Sequence, residues 1–445
     1  MRVHFLGIGG AGLSALAGWM VDHGYYQVSG CDLAINERVK PLIKKGVKFF
    51  KGNSPGHIKN NIDWLIYPNI KPTHPEIVKA KEKGIKTSTY FEALGEITKN
   101  YFTVAVSGAH GKTTTTLMIK TILEKCGKDP NAIIGEGIYR AGKSNIFVVE
   151  ACEYKRQFLS LKPNVLVITN IAYDHPDCYQ SKKDTIQAFD QLISQMAKNS
   201  LVIGYANDSS VLKLLAKAKK QGKKIQKYGQ GLKKFRPAKW ETKSTVKISK
   251  HLFDLELKLP GKHNVFNALA AMRASAAVNV GPKQAIKALT NFIGCRRRLE
   301  KMGKIGKALL INDWAHHPEQ IKAVIKALKS AYPQKKLIAF FEPHQYERVW
   351  RLFEQFTTCW QGADKLILLP IYYVKGRESK AAFEGVNIKK LQEGTAAQGV
   401  NVESVKNYQE FWNKVKKESQ ETCVIVVLNA GPVNNFLRKQ KFSSG

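Results

Sequence analysis

Residues 104–117 read V-A-V-S-G-A-H-G-K-T-T-T-T-L, and the reading of this stretch decides the rest. Residues 101–106 form an apolar, β-branched and aromatic run of the kind that makes a buried strand, and an apolar-periodic helix is expected from residue 116 onward. Between them lie Gly108, Ala109, His110, Gly111, Lys112, Thr113 and Thr114. A strand, a glycine loop, a lysine, a hydroxyl and a helix in that order make a phosphate cradle. The glycines let backbone N–H groups turn toward phosphate oxygens, and the helix N-terminus adds partial positive charge. Lys112 neutralises the outer phosphates, and the Thr113 hydroxyl is a hard oxygen ligand suited to Mg²⁺. The common pattern G-x-x-x-x-G-K-[ST] would put its first glycine where Val106 stands, so this loop belongs to a narrower class.

The chain around that loop has 445 residues, too many for one core and enough for about three domains. With 44% hydrophobic and 24% charged residues it has the composition of a globular enzyme rather than a disordered chain. The 71 Lys+Arg against 35 Asp+Glu give a formal charge of +36, which favours polyanionic partners. The lysines are scattered, without the interleaved aromatics of a dedicated nucleic-acid reader, so no specific nucleic acid is expected. Seven widely spaced cysteines without a C-x-x-C pair point to free thiols in a reducing compartment. No secretory signal and no apolar run of about 18 residues is visible, so no membrane is expected and a cytoplasmic location is.

The opening V-H-F-L-G-I-G-G-A-G-L-S is a strand followed by Gly7, Gly9, Gly10, Ala11, Gly12 and Ser14. This is a G-x-G-x-x-G fingerprint, with Asp32 20 residues after Gly12 at the end of a second strand over residues 27–31. Amides and a helix dipole suit any pyrophosphate, and an acid suits a ribose hydroxyl, so a nucleotide-sugar diphosphate fits as well as a dinucleotide. Further elements of this region are a strand over 64–67 and a helix over 75–83. Beyond the phosphate loop, N-I-F-V-V-E ends a strand at Glu150, and V-L-V-I-T-N ends another shortly before Asp174 and His175. Ligands of doubly wound sheets sit beyond the carboxyl ends of strands. Thr113, Glu150 and His175 are therefore candidate ligands for one or two divalent ions bridging a nucleoside triphosphate to a substrate oxygen.

S-G-A-H-G-K-T-T-T-T, E-A-C-E-Y-K-R-Q-F-L, T-N-I-A-Y-D-H-P-D and G-K-H-N-V-F-N-A-L-A-A resemble, in order, the motifs of the Mur ligase family of ATP-dependent amide-forming enzymes. The R-R pair at Arg297 and Arg298, D-W-A-H-H-P from Asp313 and E-P-H-Q-Y-E-R from Glu342 extend the resemblance to about residue 376. It implies an α/β chain of three domains. These are a Rossmann-like N-terminal domain (1–99) for the UDP substrate, a central P-loop-type ATPase domain with a mostly parallel sheet (100–294), and a Rossmann-like C-terminal domain (295–445). Strands at 307–312, 337–341, 365–369 and 423–428 and helices at 318–331 and 348–361 fit the last of these.

The activity implied is amide formation between the lactyl carboxylate of UDP-N-acetylmuramate and L-alanine in peptidoglycan precursor synthesis, by a monomer or homodimer using ATP and Mg²⁺. By resemblance, Lys112, Glu150 and His175 are catalytic, and Asn264, Asn267 and Arg297 join residues 108–114 in binding ATP. His316, His344 and Arg348 would face the acceptor amino acid. For the pair His316 and His317 the residue pattern leaves a second option open, a helix N-terminal cap ahead of Pro318.

Departures from the family pattern are visible. Pro68 and Asn69 stand where a serine pair is usual, Cys152 replaces an aspartate, and Asn312, Asp313 and Trp314 replace D-D-Y. Gln345 replaces the first arginine of P-H-R-Y. No lysine lies between Thr185 and Ser194, so the modified lysine of some members is not expected. Two other readings remain: a recycling ligase that attaches a tripeptide to UDP-N-acetylmuramate, and a basic P-loop ATPase without synthetic chemistry.

Overall fold

The computed structural model describes residues 1–374 and 378–443. Among the described residues, four sheets carry the fold. The first is all parallel, with spatial order Lys48–Lys51, Gln27–Asp32, Arg2–Leu6, Trp64–Tyr67, Lys86–Thr89. The chain therefore leaves Arg2–Leu6 at the point where strand order reverses, which places the first glycine loop at the switch point of a doubly wound sheet.

The second sheet runs Lys224–Tyr228, Leu201–Tyr205, Val165–Ile168, Phe102–Ser107, Ile146–Glu150, Asn131–Ile134, Ile138–Arg140, parallel except for its last strand. Its central strands are buried on both faces, which is why they read as continuous Val/Ile/Ala runs rather than alternating ones.

The fourth sheet has order Glu300–Ile305, Ala308–Asp313, Cys423–Asn429, Lys336–Glu342, Lys365–Leu368, Val402–Ser404, with only the first strand antiparallel. Its two faces bury alternate residues of the same strands. Ala339, Phe341, Val424, Val426 and Leu428 enter one core cluster, and Ile338, Phe340, Ile425 and Val427 the other.

The chain packs as two compact units. The first holds residues 1–171, 185–230 and 269–288, the second residues 172–184, 231–268 and 289–445. Within the first unit the glycine-loop sheet and the phosphate-loop sheet are fastened together. Trp19 Nε1 donates to the buried Asn131 Oδ1 at 2.9 Å, Gly18 lies so close to the Tyr139 ring that a Cβ would overlap it, and Gly95 likewise abuts the Ser160 carbonyl.

Three expectations are corrected. The phosphate-loop helix begins at Lys112, not at residue 116, so Lys112–Thr115 form its first turn. The helix expected over 348–361 is two short helices, Tyr346–Arg351 and Phe353–Thr358, broken at Leu352 without any glycine or proline to signal it. Residues 232–257 form a three-stranded antiparallel sheet, Leu232–Ala238, Glu241–Ile248 and His251–Leu257, that the sequence reading did not anticipate.

Candidate active site

In the first unit the strand Phe102–Ser107 delivers the chain into residues 108–111. Gly108 has φ +129° and Gly111 φ +81°, conformations that side-chain-bearing residues rarely adopt. A Cβ on Gly108 would also overlap Thr169 Oγ1 and stand 2.8 Å from the Asn170 carbonyl oxygen. The loop is held by the end of the neighbouring strand. Ala109 N donates to Asn170 O (3.2 Å), His110 N to Asn170 Oδ1 (3.1 Å), Asn170 Nδ2 to His110 O (3.0 Å) and Thr169 Oγ1 to His110 O (2.6 Å). Thr169 and Asn170 were legible only as a strand end, yet they set the loop's shape.

Lys112 Nζ donates to Gly108 O (2.6 Å) and lies 3.0 Å from Glu153 Oε2, with both side chains almost wholly buried. Burial opposes its charge, but the Glu153 carboxylate, with Glu150 beyond it, holds its pKa above the usual lysine value. Thr113 Oγ1 donates to Glu150 Oε1 (3.1 Å), and Glu150 Oε2 accepts from Gly135 N (2.9 Å). A hydroxyl and a carboxylate thus share one spot at the helix N-terminus, a hard oxygen pair of the kind Mg²⁺ takes. Burial and the neighbouring Glu153 push the Cys152 thiol up to about 12, against the pull of Lys112, so it is a neutral thiol beside the lysine.

The other glycine loop is in the same unit. Gly7 N and Ile8 N donate to Cys31 O (2.8 and 3.0 Å), and Gly9 N donates to Asp32 Oδ2 (2.8 Å). Asn36 Nδ2 closes the turn onto Gly9 O at 3.1 Å. Asp32, expected at a ribose, here also accepts from Leu33 N (2.7 Å) and so braces the loop. Gly10 caps the helix Ala11–His23, and the Ser14 hydroxyl donates to Ala11 O (3.1 Å). Gly12 packs against Tyr90, whose ring would lie 2.8 Å from a Cβ there. The Tyr90 ring is partly buried, and desolvation followed by Glu150 raises its phenol pKa.

The second unit holds the remaining candidates. His175 sits at φ +57°, its N donating to Asp174 Oδ1 at 2.7 Å and its Nε2 3.9 Å from Asp174 Oδ2. The same Asp174 Oδ1 accepts from Arg348 Nε and Nη2 (3.3 and 3.2 Å), and Arg348 Nη1 donates to His344 O (3.1 Å). Burial alone would raise the Asp174 pKa. The neighbouring His175 and the Arg348 guanidinium outweigh it and hold the carboxyl well below its ordinary range. Arg348, 2% exposed, is therefore a paired cation.

The two adjacent histidines divide the two options. His317 is the N-cap of the helix Pro318–Ala331. Its Nδ1 accepts from Glu319 N (3.3 Å), which leaves Nε2 to face Tyr173 O at 3.3 Å. His316 faces the cluster. Its Nδ1 lies 2.8 Å from Trp314 O and its ring 6.0 Å from that of His344, and burial with Arg348 nearby pushes its pKa well below the usual histidine value.

Arg297 is buried, its guanidinium stacked 3.7 Å over the Trp314 ring and its Nη2 donating to Asn429 Oδ1 (3.2 Å). Asn264 Nδ2 donates to Pro260 O (2.8 Å) and Asn267 Nδ2 to Asn264 Oδ1 (3.2 Å), so these amides brace the turn ahead of the helix Lys262–Ala276. Sequence reading named Glu342 only as the start of a motif and Gln345 only as a departure. Glu342 Oε1 accepts from Tyr408 Oη at 2.6 Å, and Gln345, at φ +74° and 1% exposed, has a buried Nε2 with no partner among the described residues.

Comparison with known proteins agrees with this architecture. Residues 2–102 match the Mur ligase family catalytic domain, 106–275 the Mur ligase middle domain and 297–431 the Mur ligase glutamate ligase domain. The chain is 32% identical over 447 residues to a UDP-N-acetylmuramate–L-alanine ligase of Clostridium botulinum (strain Kyoto / Type A2), covering 97% of this chain and 95% of that one. A relative of the same name from Clostridium acetobutylicum is 32% identical over 452 residues, with the same coverage. Among solved structures, a UDP-N-acetylmuramate-alanine ligase from Thermotoga maritima superposes with a TM-score of 0.80 at 26% identity, covering 99% of this chain and 98% of that one. A murein peptide ligase from Psychrobacter arcticus shares the fold with a TM-score of 0.71 at 21% identity, with the same coverage. A phosphate loop gripped by the next strand, a second glycine loop in the same unit and three family domains in order lead to one conclusion: this chain belongs to the Mur ligase family.

Proposed function

We propose that this chain is an ATP-dependent ligase that joins L-alanine to the lactyl carboxylate of UDP-N-acetylmuramate, acting in the cytoplasm in peptidoglycan precursor synthesis. The observation that carries the reading is the packing of a diphosphate-type glycine loop and a phosphate loop into one unit, their sheets fastened by Trp19 to Asn131 and by Gly18 against Tyr139. The full-length likeness to L-alanine ligases supports the choice of substrates.

A carboxylate is a poor electrophile, so its activation comes first. The γ-phosphoryl of ATP passes to the lactyl oxygen, giving an acyl phosphate, and the acceptor amine then displaces phosphate. Lys112 lies in the first helical turn with backbone amides beside it, where it neutralises the charge spreading over the phosphoryl oxygens. The carbonyl oxygens of Gly108 and Ala109 and the Glu153 carboxylate fix its ammonium in place beforehand, so little reorganisation accompanies transfer.

The Thr113 hydroxyl and the Glu150 carboxylate fit Mg²⁺, which when bound would shield the phosphate oxygens and polarise the phosphorus–oxygen bond. Among the groups of the second unit, Arg348 with His344 and His316 suits an acceptor carboxylate. Asp174 sets the orientation of Arg348 and offsets part of its charge.

The test is ADP release from purified protein given ATP, Mg²⁺ and UDP-N-acetylmuramate, with L-alanine in one arm and the tripeptide in another. The expected result is turnover that requires the nucleotide sugar, Mg²⁺ and L-alanine together. Turnover with the tripeptide alone would assign the recycling reaction instead. Hydrolysis indifferent to the nucleotide sugar would overturn both.

A further inference from the structure

The first sheet carries a second group of chemically capable side chains that nucleotide binding does not use. Cys31 ends the strand Gln27–Asp32, His57 belongs to the short turn Pro55–His57, and Glu76 lies in the first turn of the helix Pro75–Glu82. Cys31 and Glu76 are completely buried. Glu76 Oε1 lies 2.9 Å from His57 Nδ1 and accepts from Ser54 N at 2.9 Å, while Cys31 Sγ stands 3.4 and 3.5 Å from the two carboxylate oxygens. One atom from each of the three side chains falls within 4.8 Å of the others. The His57 ring is stacked on Phe50, centroids 5.0 Å apart, which fixes its plane.

A further base stands beside this trio. His4, wholly buried, has its ring 6.4 Å from that of His57. Its Nδ1 lies 2.9 Å from Ser29 Oγ, and with the Ser29 hydroxyl donating to Val3 O (3.4 Å) the matching tautomer has the hydrogen on His4 Nδ1. That leaves Nε2 as a bare lone pair, buried and without a partner among the described residues.

We propose that Cys31, His57 and Glu76 form a binding site for a zinc-class divalent cation, with the His4 lone pair beside it. The ligand types decide the class, because thiolate and imidazole select Zn²⁺ over Mg²⁺ or Ca²⁺. The spacing agrees: bonds of about 2.3 Å to sulfur and about 2.0 Å to nitrogen and oxygen give tetrahedral ligand–ligand edges of roughly 3.2–3.7 Å. The sulfur–oxygen distances already match, and the nitrogen–oxygen distance needs to open by only a few tenths of an ångström. Charge balances as well. The cation takes the Cys31 thiolate and the Glu76 carboxylate, the thiol proton leaves to solvent, and His57 turns a neutral Nδ1 lone pair to the metal with its proton on Nε2. Such an ion would tie a strand end, a turn and a helix start together, a structural role apart from the ligase chemistry.

The experiment uses the full chain, stripped with chelator and titrated with Co²⁺ and then Zn²⁺. One equivalent of Co²⁺ is expected to give a near-ultraviolet thiolate-to-cobalt band that Zn²⁺ abolishes, together with a raised thermal midpoint in Zn²⁺. The band is expected to vanish in Cys31→Ser and to persist in Cys126→Ser, and His57→Gln is expected to weaken binding by at least about tenfold. Absence of a stoichiometric band, or a band that survives Cys31→Ser, would show that the trio is only a hydrogen-bonded network.

Discussion

Replacing Lys112 by methionine separates the phosphoryl role proposed for this lysine from its structural one. The substitution keeps the length of the side chain, so it opens little cavity, but it removes the Lys112 cation from the buried Glu153 carboxylate and takes a donor from Gly108 O and Ala109 O. Breaking a buried pair by removing one partner costs about 3–5 kcal/mol, whereas removing both charges together is often close to neutral. Lys112→Met is therefore expected to lower unfolding stability by about 3–5 kcal/mol, and Lys112→Met/Glu153→Gln to recover all but about 1–2 kcal/mol of it. Both variants are expected to release no measurable ADP, since neither restores a cation at the phosphoryl group. Urea denaturation followed by tryptophan fluorescence measures the first effect, and the coupled ADP assay the second. A single variant as stable as the parent, or a double variant no more stable than the single, would refute the buried-pair argument. Retained ADP release in either would refute the phosphoryl role.

Two further perturbations follow from the second unit. Burial raises the Glu342 carboxyl to about 7, against the pull of Tyr408, the Val433 and Gly431 amides and Arg297. The folded state thus binds this proton more tightly than the unfolded one, a contribution present below pH of about 4 and lost as pH rises to about 7. Glu342→Gln is expected to match the parent's thermal midpoint at pH 4 and to exceed its stability by about 1–2 kcal/mol at pH 8; equal midpoints at both would contradict it. Gln345 has φ +74° and ψ +123° and a buried, unpartnered amide nitrogen among the described residues, so Gln345→Gly is expected to stabilise the free protein by about 1–2 kcal/mol. A fall in the thermal midpoint would mean that side-chain packing outweighs backbone strain there.

The likeness between expected and observed architecture is uneven in an instructive way. Parallel strands buried on both faces leave a strong local signature, so Phe102–Ser107, Ile146–Glu150 and Cys423–Asn429 were visible as apolar runs. The antiparallel strands of residues 232–257 were not, because charged residues such as Lys233, Lys234, Arg236, Lys243 and Glu256 dominate their exposed positions and only a period of two betrays them. The break at Leu352 left no trace either, since neither a glycine nor a proline marks it.

At the site, residue types and spacing by themselves marked residues 108–113 as a candidate phosphate loop and Gly7, Gly9 and Gly12 as a second glycine loop, and showed which family the chain resembles. These signals are local: a required φ, a helix start and a charged side chain all sit within a few consecutive positions. Only the tertiary structure decided what each group is paired with. It made Asn170 the clamp of the phosphate loop, Glu153 the partner of Lys112, Asp174 the partner of Arg348, and His317 rather than His316 the helix cap. It also gathered Cys31, His57 and Glu76 from positions up to 45 residues apart. Pairing depends on distances across the folded chain, and burial then sets the charge each group carries, so neither can be read along one dimension.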